Sequence, residues 1–323
     1  MNMQAKLQAA IDAAAQTPTT LEPLGKQNDV DVVTPLSQPV SIKTMTEKAM
    51  LCALSISTFS PYKRDDDASA EYGAGNVSKH LFASGDNRVK EVNKLYREMQ
   101  TYLRNNTVPW KWGKGVYLLN SAQYMSITAE LRQRAVEIET ALDDLEANWT
   151  TAVQTDYNRL HAIDPKLANY DDYPTDIRSK YGHSVNFMPV PKPEHMDPRG
   201  VSEEDIQALA TSTERMLKEA SKSASAHVIQ QLVKPMQEAV DHLAKPVEDV
   251  KRFSKSLIGN MIDVADRMNR ANVSDDPTVQ TQIDDLLRVA SGINMQTVKH
   301  DVQVRSTAKA DIETLMTRMK GLV

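Results

Sequence analysis

Apolar side chains recur every three or four positions along most of this chain, which is the spacing of an amphipathic helix. Two such stretches cover residues 88–105 and 121–161, and a third region extends from residue 202 to residue 323. Ser202 begins the third region in the manner of a capping box, and Asp276 with Pro277 opens its last part. The sequence therefore predicts a mainly α fold.

Residues 226–268 have the most regular pattern, with apolar steps of three and four for about six heptads. Pro235 and Pro246 interrupt it and would either bend one long helix twice toward the same side or each open a new helix. The partner of this seam is either the chain's own residues 278–322, in an antiparallel coiled-coil-like arrangement, or a second subunit. The predicted partner-binding residues are Ile229, Val233, Met236, Val240, Leu243, Val247, Val250, Leu257, Met261 and Val264.

Two short segments alternate between apolar and polar side chains, as strands do. The first covers residues 51–59, and the second lies around residues 185–190. Prolines in the second segment restrict it to the edge of a sheet. We therefore expect a small two-stranded β element in which these segments pair.

Changes in composition divide the chain into three predicted regions. Residues 1–45 contain four prolines after a short Ala- and Gln-rich segment and are expected to form a flexible N-terminal arm. Residues 46–200 are expected to form a helical core domain that contains a β-hairpin-like element. Residues 201–323 are expected to form the long, coiled-coil-like helical region.

Charge and cysteine content narrow the classes of function. The net charge is −5, so binding of a polyanion by the whole surface is not expected. The one cysteine, Cys52, allows no internal disulfide and fits a reducing cytoplasm. No run of eighteen apolar residues and no secretion signature are found, so we expect no membrane span and a cytoplasmic location.

The sequence contains none of the short motifs that identify common catalytic or cofactor sites. A Walker-type loop, GxGxxG, HExxH and CxxC are all missing, and the seven histidines are scattered. A zinc site built from His183, His195 and nearby aspartates is disfavoured by their spacing, and Cys52 lies on the apolar side of a predicted strand. We therefore predict no catalytic residue, no metal and no cofactor.

The segment TVPWKWGKGVYLL, residues 107–119, allows two interpretations. Residues 86–119 contain seven basic and three acidic residues with aromatic residues between them, a composition typical of single-strand nucleic-acid binding. In the alternative, which we favour, Trp110 is buried and fixes a corner between helices while the cations face water. The residues of the nucleic-acid interpretation are Arg97, Arg104, Trp110, Lys111, Trp112, Lys114 and Tyr117.

Residues 50–200 resemble a family of phage and bacterial proteins of unknown function. The likeness rests on Val108-Pro109-Trp110, Gly115, Leu118-Leu119-Asn120, Tyr124, Tyr173-Pro174 and residues 185–191, with Tyr181 where the family more often has Phe. The resemblance carries no catalytic residues. Because such genes often lie beside MoxR-type AAA+ ATPases and von Willebrand A-domain proteins, it implies an accessory role to an ATPase.

Pattern and resemblance together lead to one functional hypothesis and one alternative. We expect a non-enzymatic phage protein in the cytoplasm of the infected bacterium, which acts by helix-mediated self-association and by docking a protein partner such as an AAA+ ATPase. The alternative is a single-stranded nucleic-acid-binding protein that uses residues 88–117.

Overall fold

The protein is mainly helical, and its described residues form one four-stranded sheet and one two-stranded sheet. The computed structural model describes residues 42–65, 69–70, 77–193, 200–245, 256–274 and 276–323. The strands are β1 (Ala49–Ser57), β2 (Tyr62–Arg64), β3 (Ser78–His80), β4 (Val108–Pro109), β5 (Val116–Asn120) and β6 (Gly182–Pro189). The helices are α1 (Ile42–Lys48), α2 (Arg88–Asn106), α3 (Tyr124–Ala147), α4 (Trp149–Ile163), α5 (Glu203–Leu243), α6 (Ser256–Ala271), α7 (Pro277–Gly292), α8 (Met295–His300) and α9 (Val302–Lys320).

The larger sheet is antiparallel and has the strand order β4-β5-β1-β6. The predicted pairing of the two alternating segments is confirmed, since Met50 lies opposite Pro189 and Ser57 opposite Gly182, and β6 is an edge strand. The sheet nevertheless has four strands rather than the predicted two. The missed strand β5 reads VYLLN, and a strand buried on both faces shows an apolar run instead of alternation.

Each face of this sheet covers a different hydrophobic core. Ala49 and Leu51 of β1 belong to the core formed with α5–α9, whereas Cys52 and Leu54 belong to the core formed with α2, α3 and α4. The division follows from the alternation of side chains along a strand. Two sets of helices thus share one sheet, and α1, through Met45, belongs to the set that follows residue 200.

The predicted helix over residues 121–161 is two helices. A 3₁₀ turn at residues 121–123 precedes α3, and Asn148, with φ −105° and ψ 3°, separates α3 from α4. The Asn148 side chain donates a hydrogen bond to the backbone oxygen of Asp144 at 2.8 Å, and such local bonds compete with helix geometry. The break places Trp149 against Phe59 and Phe82.

Residues 226–268, expected to form either one bent helix or several helices, belong to two helices. Pro235 lies inside α5 and does not open a new helix, but α5 ends at Leu243 and α6 begins at Ser256. Arg305 of α9 is buried and donates from Nε to the carbonyl of Leu243 and from Nη2 to that of His242, both at 2.8 Å. It thereby satisfies carbonyls that a helix end leaves without partners. Pro246, Val247 and Val250 lie outside the described residues.

The N-terminal caps predicted at Ser202 and Asp276 are present. The hydroxyl of Ser202 accepts the backbone N–H of Asp205, and a carboxylate oxygen of Asp276 accepts that of Thr278. Residues 42–45, predicted to belong to the N-terminal arm, lie in helix α1, and Met45 is buried. Residues 1–41 lie outside the described part, and the antiparallel, coiled-coil-like arrangement of the helices stays a prediction.

Candidate functional site

The tryptophan turn, residues 110–115, connects the antiparallel strands β4 and β5. The N–H of Trp110 donates to the carbonyl of Val116 at 2.9 Å, and the N–H of Val116 donates to that of Gly113 at 3.1 Å. Gly115 has φ +75°, a conformation that favours glycine, and its carbonyl accepts the N–H of Leu54. A Cβ at Gly115 would stand 2.8 Å from the carbonyl oxygen of Leu54. The glycines therefore serve the turn and its contact with β1.

Trp110 and Lys111 attach this turn to α5. Trp110 is 8% exposed and belongs to the core that contains Ala220 and Ala224 of α5. Nζ of Lys111 lies 2.9 Å from the carboxylate of Glu219, and this hydrogen bond lowers the pKa of Glu219. The ion pair is exposed and contributes little stability, so the buried indole dominates the contact. Trp110 is buried, as the favoured interpretation predicted, but the turn joins two strands rather than two helices.

The seven residues of the nucleic-acid interpretation do not share one surface. Tyr117 is buried in the core on the opposite face of the sheet from Trp110. Trp112 is 42% exposed, but its ring already contacts Trp110 and lies under Nζ of Lys111 at 5.4 Å. The rings of Trp110 and Tyr117 are therefore buried and cannot stack on a base in this conformation. Lys114 is exposed.

Helix α2 carries a row of cations that the sequence pattern only partly indicated. Lys90, Lys94, Arg97 and Arg104 are exposed and follow steps of four, three and seven, so they lie on one helix face. Lys94 is 3.7 Å from Glu98, and Lys90 donates to the carbonyl of Ala83. We call these four residues the α2 basic row.

The predicted partner-binding seam lies inside the chain's own core where it is described. Ile229, Met236, Val240, Leu243, Met261 and Val264 are buried, and Val233 and Leu257 are half-buried. They share a core with Ile283, Ile312 and Met319 of α7 and α9. Heptad spacing alone does not distinguish a partner in the same chain from a partner in another chain.

The first turns of α5 are exposed and were missed as a candidate site. No side chain in residues 203–212 is buried, and Leu209 is 44% exposed. The signal was present in the sequence, because Ile206, Leu209, Thr213 and Met216 follow steps of three, four and three. We call residues 203–216 the α5 tip.

Within the described residues, no three His, Cys, Asp or Glu side chains are placed to hold a metal ion. In the same part of the chain, no helix is long and apolar enough to cross a membrane. Cys52 is buried in β1, and burial raises the pKa of its thiol to about 11. Such a thiol is a poor nucleophile near neutral pH, because the thiolate is the reactive form.

Comparison with protein-family models, with curated proteins and with solved structures found no match to this chain. The resemblance of residues 50–200 to the phage family therefore stays a hypothesis.

Replacing Trp110 by alanine should destabilise the protein far more than the same change at Trp112. We expect Trp110→Ala to lower the free energy of unfolding by about 3–5 kcal/mol, because it opens a cavity beneath α5. Trp112→Ala, the matched control, should cost about 1 kcal/mol or less, since this ring is partly exposed. Urea unfolding measures both changes, and equal losses would contradict the proposed role of Trp110.

The thiol of Cys52 should be unreactive in the folded protein. At about pH 8, where an exposed thiol of pKa ~8.5 is partly ionised, we expect a disulfide reagent to label it slowly. Because burial raises the pKa, the labelling rate should continue to rise with pH toward about 11 while the fold persists. The urea-unfolded chain is the control and should react at once. Labelling of the folded protein at the same rate would show that the thiol is accessible.

Proposed function

We propose that this protein acts without catalysis, by binding a second copy of itself through the α5 tip. The observation that carries the proposal is the apolar row Ile206, Leu209, Thr213 and Met216. These positions have the spacing of a helix–helix seam, yet Leu209 is 44% exposed and Ile206 is only half-buried. Thr213 is buried and the half-buried Met216 packs against the chain's own core, so the open part of the row is its first half. The row continues into the buried residues Leu217 and Ala220 of the same helix. The tip is therefore the part of this helix face that extends beyond the core.

Charge favours a second copy of the chain as the occupant. The first turn of α5 is acidic, with Glu203, Glu204 and Asp205, whereas Arg215 lies at the other end of the tip. Lys218 lies just beyond the tip, 3.9 Å from Glu214. In an antiparallel pair, the acidic turn of one copy would lie opposite these cations of the other. Such self-complementarity is what a two-fold interface requires.

The α5 tip suits this role better than the seam over residues 226–268. Residues such as Ile229 and Met236 are already buried against the rest of the chain, so a partner could reach them only if the core opened. Two heptads of exposed helix bury little area, and the expected dimer is weak and depends on concentration. Phage origin and an ATPase partner follow from the resemblance alone, and self-association depends on neither.

Leu209→Lys should abolish self-association without loss of fold. A lysine in the seam would place a charge between the two helices, where its desolvation is unfavourable. Sedimentation velocity over a wide concentration range should show a monomer–dimer equilibrium for the natural chain and only monomer for the variant.

Met125→Lys is the matched control for this experiment. Met125 lies on α3 and is 74% exposed, so the same substitution removes a more exposed apolar side chain outside the tip. Its dimerisation should equal that of the natural chain. A natural chain that stays monomeric at every concentration, or a Leu209→Lys variant that dimerises normally, would refute the proposal.

A second candidate function rests on the α2 basic row. Lys90, Lys94, Arg97 and Arg104 present four positive charges along one exposed face, although the chain as a whole is acidic. Arg97 and Arg104 form no ion pair with another described residue. A row of this kind suits the backbone of a single strand, which is bound mainly through its phosphates.

Arg97→Ala combined with Arg104→Ala should weaken single-strand binding if this second function exists. A gel-shift titration at several salt concentrations should show a shallower salt dependence, by roughly 0.7 in the logarithmic slope for each lost phosphate contact. The control pair, Arg132→Ala with Lys320→Ala, removes two exposed cations elsewhere and should leave the slope unchanged. If the natural chain shifts no oligonucleotide even at low salt, the nucleic-acid function is excluded.

A further inference from the structure

A small polar cleft lies between α5 and α6, beside the end of α2. Its volume is about 170 Å³, which exceeds the share of a single water molecule in the liquid, about 30 Å³. Its apolar wall comprises Pro235, Val264 and Met268, all of which are buried. The polar side chains that line this α5–α6 cleft are Asn105, Gln231, Lys234, Glu238, Asn260 and Arg267.

The polar side chains of the cleft are not used by the fold. Among the described residues, none of the six forms a hydrogen bond or an ion pair through its side chain. Other exposed helix residues do so, as in Gln237 with Asp241 and Gln280 with Asp284, each at 3.0 Å. The cleft therefore concentrates polar groups that remain free to meet a ligand.

Arg267 is the most informative of these residues. Asp263 lies four positions earlier on α6, the spacing of a helical ion pair, yet the two residues form none. Nε of Arg267 is buried and has no hydrogen-bond acceptor. A buried donor without an acceptor is unfavourable, and a water, an ion or a ligand group would satisfy it.

Pro235 removes one helical hydrogen bond next to the cleft. Proline has no N–H, so the carbonyl of Gln231, four residues earlier, cannot receive the usual helical hydrogen bond from residue 235. Both residues line the cleft. The helix thus carries a proline at the place where its backbone borders the unused polar side chains.

We propose that the α5–α6 cleft binds a small molecule through an oxyanion, either a phosphate or a carboxylate group. Arg267 and Lys234 hold the oxyanion, because a guanidinium presents several donors in a planar fork and an ammonium adds a second positive charge. Asn105 and Asn260 supply amide donors. Glu238 faces the same cleft and repels the anion, while it accepts a hydrogen bond from a donor elsewhere on the ligand. The site is separate from the α5 tip and does not depend on self-association.

Isothermal titration of the full chain with inorganic phosphate and with acetate tests this proposal. Ionic strength is held low and constant with chloride, so that non-specific screening does not change during the titration. We expect saturable binding of at least one probe. Preference for phosphate would identify a tetrahedral oxyanion, and preference for acetate would identify a carboxylate.

Variants of opposite sign make the test specific. Arg267→Gln should weaken binding at least tenfold, whereas Glu238→Gln should strengthen it severalfold because a repelling charge is removed. Arg270→Gln is the matched control, since Arg270 is exposed on the same helix and does not line the cleft. The proposal is overturned if neither probe binds saturably, or if Arg267→Gln binds as tightly as the natural chain.

Discussion

The constraint on which the rest of the structure depends is that the central strands β1 and β5 contribute to a core on each face of the sheet. Neighbouring residues of β1, such as Leu51 and Cys52, enter different cores, so one strand supports two sets of helices at once. A one-residue shift in pairing would exchange the two faces and misplace every side chain, which fixes the register of β1 strongly. The tryptophan turn contacts both the sheet and the helices. The carbonyl of Gly115 accepts a hydrogen bond from β1, and Trp110 packs in the core that contains α5.

The sequence predicted those elements whose apolar spacing was unambiguous. Helix α2, the pairing of β1 with β6 and the caps at Ser202 and Asp276 were all recognisable, since each depends on local periodicity or on one hydrogen bond. Strand β5 was missed because full burial removes alternation. The break at Asn148 was missed because a local side-chain hydrogen bond to Asp144 interrupts an apolar pattern that continues on both sides. The exact end of α5 could not be predicted because it is held by Arg305, which lies 62 positions away in sequence.

The candidate site shows how sequence proximity can mislead. Trp110 and Tyr117 alternate with cations along the chain and look like one surface, but the hairpin directs them into different cores. Heptad spacing over residues 226–268 correctly indicated helix-against-helix burial, and could not say which helix provides the partner. The exposure of the side chains shows where a partner is still lacking. Apolar residues with the same spacing are buried around Met236 and exposed around Leu209. Only a fold can make that distinction.

Helix α5 connects all of these features because it is long and continuous. Its 41 residues extend for about 62 Å, enough to carry the tip, the contact with the tryptophan turn, the wall of the cleft and the end held by Arg305. Ala220, Ser221, Ala224 and Ser225 are small and buried, which allows α5 to lie close to its neighbours. Larger side chains there would push the helix outward and disturb the turn. Because these small residues set how closely α5 packs, they also set where the α5 tip lies relative to the sheet.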